Sequence, residues 1–279
     1  MKNTIINGDC LEVMKNIEDK SVDMILCDLP YGTTGISWDV IIPFDLLWEQ
    51  YERIIKDNGA IVLTASQPFT TKLIASNYKM FRYEWIWTKN NSTGFANAKK
   101  MPMKKHENIC VFYKKIPTYN AQGLVELEKP KTNKRKPRNT SSFVTSEYID
   151  FRNKKYKNIE EEFVISENNT SLYNKTFTQT HTNYPNSVLN FSQPSNKTRI
   201  HPTEKPLDLW EYLIKTYTNE GDLVLDNCSG SGVTAEACIN TNRDFICIEL
   251  DKNYYEKSIK RIETIYKNKT IKNYERRTI

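Results

Sequence analysis

The sequence has no apolar run of about 18 residues, the length that a membrane-spanning helix requires. Its opening, MKNTIINGDC, carries no apolar segment of the signal-peptide kind. Both absences point to a cytoplasmic protein with no membrane partner. Histidine is scarce, at positions 106, 181 and 201 only, and none of the six cysteines forms a C-x-x-C pair. A zinc site, or any other metal centre, is therefore not expected. Several cysteines sit in apolar runs such as MILCDLP and FICIELD, as free thiols buried in a reducing compartment do. A complete G-x-G-x-x-G is missing, which disfavours a nicotinamide cofactor. Internal repeats are absent too.

What is present is a chain of 279 residues, 38% hydrophobic, long enough for one substantial core with or without a smaller module. The net charge is +6, unevenly spread. Between Lys99 and Arg138 twelve Lys or Arg face only three acids, so the remainder is net negative. Such a concentration suits a phosphate-binding surface, although a solvated Lys-rich loop has the same composition.

Three zones follow one another. From 1 to about 115, VDMILCDLP (22–30), AIVLTAS (60–66), YEWIWTK (83–89) and NICVFYKK (108–115) read as strands. FDLLWEQYERII (44–55) reads as a helix ended by Asn58-Gly59. From about 116 to 196, Asn, Thr, Ser, Lys and Tyr dominate, as in a small module or loops that order on a partner. From about 200, helix PLDLWEYLIKTY (206–217), strand GDLVLD (221–226), helix TAEACINT (234–241), strand FICIEL (245–250) and helix NYYEKSIKRIETI (253–265) alternate. Strands alternating with helices predict an α/β fold with a mostly parallel sheet flanked by helices.

Two motifs carry chemistry. In LVLDNCSGSGVTAEAC (223–238) an apolar strand ends in Asp226, a loop follows with Ser229, Gly230 and Gly232, and a helix begins near Thr234. Glycines let the backbone turn and a ligand approach, at the carboxyl edge where open parallel sheets bind ligands. Glu249 ends the next strand, placed to hold ribose hydroxyls. A tight turn without a ligand is the alternative. In CDLPYGTTGISWD (27–39) a buried strand delivers Asp28, Leu29, Pro30 and Tyr31. Pro30 fixes its own backbone and pushes Leu29 toward extended geometry. An exocyclic amino group is a poor nucleophile, because its lone pair is delocalised into the ring. Asp28 and a nearby carbonyl could accept its two hydrogens, and Tyr31 could stack on the base, once the base has left the duplex. Direct in-line transfer then needs only good positioning. Taken singly, Asp28 also reads as a helix cap or loop acid, and Tyr31 as a core aromatic.

Together these residues resemble the permuted (beta-group) amino-methylating DNA methyltransferases of the adenine-N6 type. There the acceptor motif [DNS]-P-P-[YFW] comes first, a target-recognition region follows, and the S-adenosylmethionine motif D-P-F-x-G-S-G-T-T comes last. Asp28-Leu29-Pro30-Tyr31 and the run Asp226 to Thr234 match them, in that order. INGDCLEVMKNI (6–17) is similar to the family's start, which implies that Asp9 lies near the adenine of S-adenosylmethionine. HPTEKPLDLWEYLI (201–214) is similar to the segment whose Lys-Pro, here Lys205-Pro206, helps to close the cofactor pocket. Leu29 departs from the first proline of the acceptor motif, and Asn227-Cys228 departs from Pro-Phe, which removes a ring that packs by the cofactor.

The resemblance implies a permuted catalytic domain over 1–116 and 200–268, a target-recognition region over 117–199 and a polar tail over 269–279. Candidate phosphate contacts are Lys129, Lys131, Lys134, Arg135, Lys136 and Arg138, with Arg152, Lys154 and Lys155. The expected activity is site-specific transfer from S-adenosylmethionine to adenine N6 in double-stranded DNA, with base flipping. The acidic first position, Asp28, favours adenine over cytosine N4. An RNA or protein-amide methyltransferase and an inactive DNA-binding protein are the further alternatives. A homodimer and a cognate restriction endonuclease are left open as partners.

Overall fold

The computed structural model of the protein describes residues 2–36, 39–134, 176–195 and 199–275. The chain divides into two compact units, Met1–Gln122 with Pro185–Ile279, and Gly123–Tyr184.

The first unit is built on an eight-stranded sheet. In chain order its strands are β1 (Thr4–Asn7), β2 (Val22–Asp28), β3 (Ile55–Ala65), β4 (Phe81–Thr93), β5 (Lys104–Phe112), β8 (Val188–Asn190), β9 (Leu223–Asp226) and β10 (Asp244–Glu249). In space the order is β1-β10-β9-β2-β3-β5-β4-β8. Neighbours run parallel from β1 to β3, antiparallel through β3-β5-β4, and parallel again between β4 and β8. The sheet is thus mostly parallel, and β5 alone runs against its neighbours.

The alternation of side chains along a strand divides the core between the two faces of this sheet. Met24 and Leu26 of β2 belong to one cluster, and Ile25 and Cys27 to the other. The helices α4 (Leu207–Tyr217), α5 (Val233–Thr241) and α6 (Lys252–Glu275) cover the first face, with Trp210, Leu213 and Cys238 buried there. The second face is covered by α1 (Cys10–Met14), α2 (Phe44–Ile54) and α3 (Phe69–Ser76), through Met14, Tyr51 and Leu73. A sheet covered on both faces needs apolar residues of both parities, which is why β2 and β3 read as continuous apolar runs.

The expected elements are found, with corrections. Asn58-Gly59 does not end a helix: α2 stops at Ile54 and β3 begins at once, running through that pair. A Cβ on Gly59 would lie 2.8 Å from the Asp23 carbonyl oxygen. This glycine therefore permits close approach of β2 where the β2–β3 register shifts between Val22 and Met24. The elements β1, α1, α3 and β8 are too short or too weakly patterned to be read from sequence. Helix α6 runs through Glu275, into the expected polar tail.

In the second unit the described residues form a hairpin-like pair, β6 (Val125–Lys134) antiparallel to β7 (Thr176–Thr182). This unit is narrower at both ends than the recognition region expected at 117–199.

One consequence of the strand order positions the site. β2 and β9 come from opposite ends of the chain yet are parallel neighbours, with Met24 opposite Val224 and Ile25 opposite Leu225. Asp28 and Asp226 therefore emerge at the same carboxyl edge, as ligand sites in open α/β sheets do.

Candidate active site

Asp28 ends β2 with both carboxylate oxygens engaged. Oδ1 accepts from the Tyr31 hydroxyl at 2.8 Å and from the Thr64 hydroxyl on β3. Oδ2 pairs with the Lys205 ammonium. Lys205 is only 5% exposed and lies 3.5 Å from Glu107 of β5, which itself pairs with Lys89 of β4. Buried charges are tolerated when paired, and here four of alternating sign form a row: Asp28, Lys205, Glu107 and Lys89. Burial works against the Lys205 ammonium, but Asp28 and Glu107 outweigh it and hold its pKa above the ordinary value. Burial likewise opposes the Glu107 carboxylate, but Lys205 and Lys89 hold it below the usual range. Lys205, expected to close the cofactor pocket, has its ammonium on the acceptor-side carboxylate.

The Tyr31 ring stacks on Phe69, with centroids 5.1 Å apart and planes at 26°, and the Lys205 ammonium lies 5.8 Å from the ring centroid. Burial, and then the Asp28 charge, keep its phenol protonated well above the usual range. Leu29, standing where the resemblance has proline, is 4% exposed and packs into the core. The loop beyond is organised by Asp39. Its buried carboxylate accepts from the backbone N–H groups of Gly32, Thr33 and Thr34 and from the Thr34 hydroxyl, at 2.7–2.8 Å. Gly32 has φ +64°, and a Cβ there would lie 2.8 Å from the Ile41 side chain.

On the donor side, Asp226 accepts from the Cys228 N–H at 3.0 Å and from the Thr234 hydroxyl. Thr234 in turn accepts from the Trp210 indole at 2.7 Å, so it is buried and fixes Asp226. Burial raises the Asp226 pKa to about 6, against the pull of those hydrogen bonds. Gly230 and Gly232 have φ +50° and +76°, and a Cβ on Gly232 would lie 2.8 Å from the Cβ of Ser258. Gly232 therefore has a packing role as well as a conformational one. Glu249 accepts from the Gly230 N–H at 2.6 Å and from the Asp251 N–H at 2.8 Å, which ties β10 to the glycine loop. Asp9 caps α1 by accepting from Leu11 and Glu12. Asn227, one of the two departures from Pro-Phe, accepts from the buried Tyr51 hydroxyl at 2.5 Å. Trp210 and Tyr254 are aromatic walls of the cavity.

One cavity of about 910 Å³ joins the two sides. Its lining includes Asp28, Pro30 and Tyr31 as well as Asp9, Lys205, Asp226, Ser229, Gly230 and Glu249. Gly232 and Thr234 support it from behind. The Ser229 hydroxyl is buried with no hydrogen-bond partner among the described residues. It is a polar atom that a ligand would satisfy. Lys129 and Lys131 are exposed on β6 of the second unit, and Lys134 ends that strand. Arg135, Lys136, Arg138, Arg152, Lys154 and Lys155 lie outside the described residues. Among the described residues no group of His, Cys, Asp and Glu is placed to hold a metal ion. No described helix is long and apolar enough to cross a membrane.

Three residues of this site were not singled out from sequence: Asp39, Glu107 and Lys89. Asp39 follows a Gly- and Thr-rich stretch, the usual setting of a loop-organising acid. Glu107 is the one acid in KKHENICVFYKK, a signal that charge counting alone does not interpret.

A family model described as DNA methylase matches residues 22–261. The Type II methyltransferase M.HpaI of Haemophilus parainfluenzae is 26% identical over 282 residues, covering 95% of this chain and 75% of that protein. The DNA adenine methyltransferase YhdJ of Escherichia coli (strain K12) is 27% identical over 276 residues, covering 93% of this chain and 82% of the other. The crystal structure of the M1.HpyAVI–SAM complex matches with a TM-score of 0.58 at 23% identity, covering 93% and 98% of the two chains; at that identity the likeness concerns the fold. The family match takes in both motifs at the sheet edge and the strands that carry them, and the chain belongs to the DNA methylase family, whose methyl donor is S-adenosylmethionine.

Proposed function

We propose that this member of the family methylates adenine at N6 in double-stranded DNA. One observation carries the reading: the Asp28 carboxylate and the Asp226–Gly230 loop line the same cavity, so an acceptor and a donor can meet there. S-adenosylmethionine, when bound, supplies an electrophilic methyl carbon on a sulfonium. The unpartnered Ser229 hydroxyl, the positive-φ turn at Gly230 in the cavity wall and the carboxylates of Asp226, Glu249 and Asp9 fit such a cationic, hydroxyl-rich donor.

The chain's own residues do the rest. Asp28 accepts a hydrogen from the target amino group, which localises the nitrogen lone pair and opposes the positive charge that grows there. Tyr31, pinned between Asp28 and Phe69, fixes the acceptor loop and offers an aromatic edge to the base. Trp87 and Trp210 help to exclude water from the cavity. The carboxylate at the first motif position and the likeness to an adenine methyltransferase support adenine over cytosine. The likeness to relatives named Type II methyltransferases supports a cognate restriction endonuclease as a partner.

Long-read mapping of modified bases in DNA from cells expressing the chain is expected to show N6-methyladenine at one short motif. N4-methylcytosine in its place would reassign the base. A second expectation concerns pH. Asp226, with its pKa at about 6, is expected to favour the cationic donor only when ionised. Below that value, affinity should fall toward about tenfold for each further pH unit. Calorimetric titration between pH 5 and 7.5 tests this, and a flat Kd across the range would remove Asp226 from the contact.

A further inference from the structure

The connection between β4 and β5 is rich in groups that the site described above does not use. Between Trp85 and His106 there is no Asp or Glu, and beyond Lys89, which the active site already uses, there are lysines at 99, 100, 104 and 105. Lys99, Lys100 and Lys105 are exposed. On the same connection Phe95 is 81% exposed, Met101 57% and Met103 38%. Single exposed apolar residues are ordinary, but three apolar side chains among exposed lysines are not.

The connection is also built to hold this arrangement. Gly94 turns the chain at φ +90°, and Phe95–Asn97 forms a 3-10 turn. The N–H of Asn97 donates to Gly94, that of Ala98 to Phe95, and those of Lys100 and Met101 to Asn97. Phe95 is therefore held out on an ordered turn. That turn adjoins the active site, because Lys89 and Thr93 of β4 line the catalytic cavity. One residue, Gly94, separates Thr93 from Phe95, a span of at most about 7 Å.

We propose that the β4–β5 connection is a DNA-contacting wedge: Phe95 enters the base stack beside the target nucleotide while Lys99 and Lys100 hold the flanking phosphates. A base must leave the helix to reach the cavity, and the gap costs stacking energy. An apolar side chain that fills or opens such a step lowers that cost, as apolar wedges do elsewhere. The lysines match the phosphate charge, whereas the ring supplies no net charge of its own. This inference rests on the proposed methylation of a flipped base.

The test uses the full chain and a duplex containing the mapped site. In single-turnover methylation, Phe95→Ala is expected to be slower than wild type by about tenfold, in line with the loss of one base–aromatic stack. On the same duplex with an abasic position opposite the target adenine, the deficit should shrink to about twofold, because the base is already unpaired. Phe95→Trp should recover most of the duplex rate. The double variant Lys99→Gln/Lys100→Gln should weaken binding and lower the log–log salt slope by about 1 to 2. Equal duplex rates for wild type and Phe95→Ala would overturn the wedge. So would a deficit that persists unchanged opposite the abasic position. If wild type itself methylates no adenine, the functional reading fails instead, which keeps the two failures distinct.

Discussion

Asp28→Ala is expected to lower the single-turnover rate of methyl transfer by about a thousandfold, the range for a group that stabilises developing charge. The Kd for S-adenosylmethionine should stay within about threefold, because a side chain acting mainly in the transition state contributes little to ground-state binding. The reason is geometric. Asp28 sits at the end of β2, and its oxygens are held by Tyr31, Thr64 and Lys205. Removing the carboxylate takes away the acceptor for the target amino group and leaves the Lys205 ammonium with Glu107 as its remaining carboxylate partner. Some loss of stability is therefore expected as well, and Asp28→Asn, which keeps the shape but not the charge, separates the two effects. Rapid-quench transfer from labelled cofactor, beside calorimetry of cofactor binding, checks the expectation. A rate within tenfold of wild type for both variants would show that the chemistry does not run through this residue.

The second large effect belongs to a residue that touches no expected ligand. Asp39→Ala is expected to lower kcat by about a hundredfold and the melting temperature by about 5 °C, the latter corresponding to about 2 kcal/mol. The Asp39 carboxylate accepts three backbone N–H groups and one hydroxyl, so its loss orphans the donors that shape the loop after Tyr31. The loop then samples other conformations, and Tyr31 loses its fixed place. A pH dependence accompanies this. Burial alone would raise the Asp39 pKa, but the hydrogen bonds from Thr34, Gly32 and Thr33 outweigh it and hold it below 3.8. The folded value is below the unfolded one, so the stabilisation is fully present above that value and is lost as pH falls through the folded pKa. The difference in melting temperature between wild type and Asp39→Ala should therefore narrow as pH falls from 7 toward 3. A constant difference across that range would place the effect elsewhere than in the ionised carboxylate.

Much of this molecule is legible without its tertiary structure. The apolar runs at 22–28 and 223–226 identify themselves as strands because a sheet covered on both faces leaves no polar parity. The residues at their ends, Asp28 and Asp226, stand out because a polar residue is unusual directly after such a run. The glycine loop declares a close approach, and both Gly230 and Gly232 do adopt positive φ. Other features resist reading for equally physical reasons. Strands such as β1 and β8 hold only two consecutive apolar residues each, Ile5-Ile6 and Val188-Leu189, too few to mark a strand. Asn58-Gly59 carries a turn signal, yet the partner strand makes it a point of close backbone approach instead.

The alternation of elements, the two chemical motifs and their reversed order along the chain can be seen in the bare sequence, because these are local patterns of residue type. The sequence could not determine which side chains share a charge. The family resemblance assigns Lys205 to the cofactor pocket, and only the fold brings its ammonium onto Asp28 and within 3.5 Å of Glu107. Those three residues lie on β2, β5 and the segment before α4, and no rule of spacing relates them. The pairing of β2 with β9 was equally a decision of the tertiary structure. That contact between strands far apart in sequence brings the donor and acceptor motifs to one cavity.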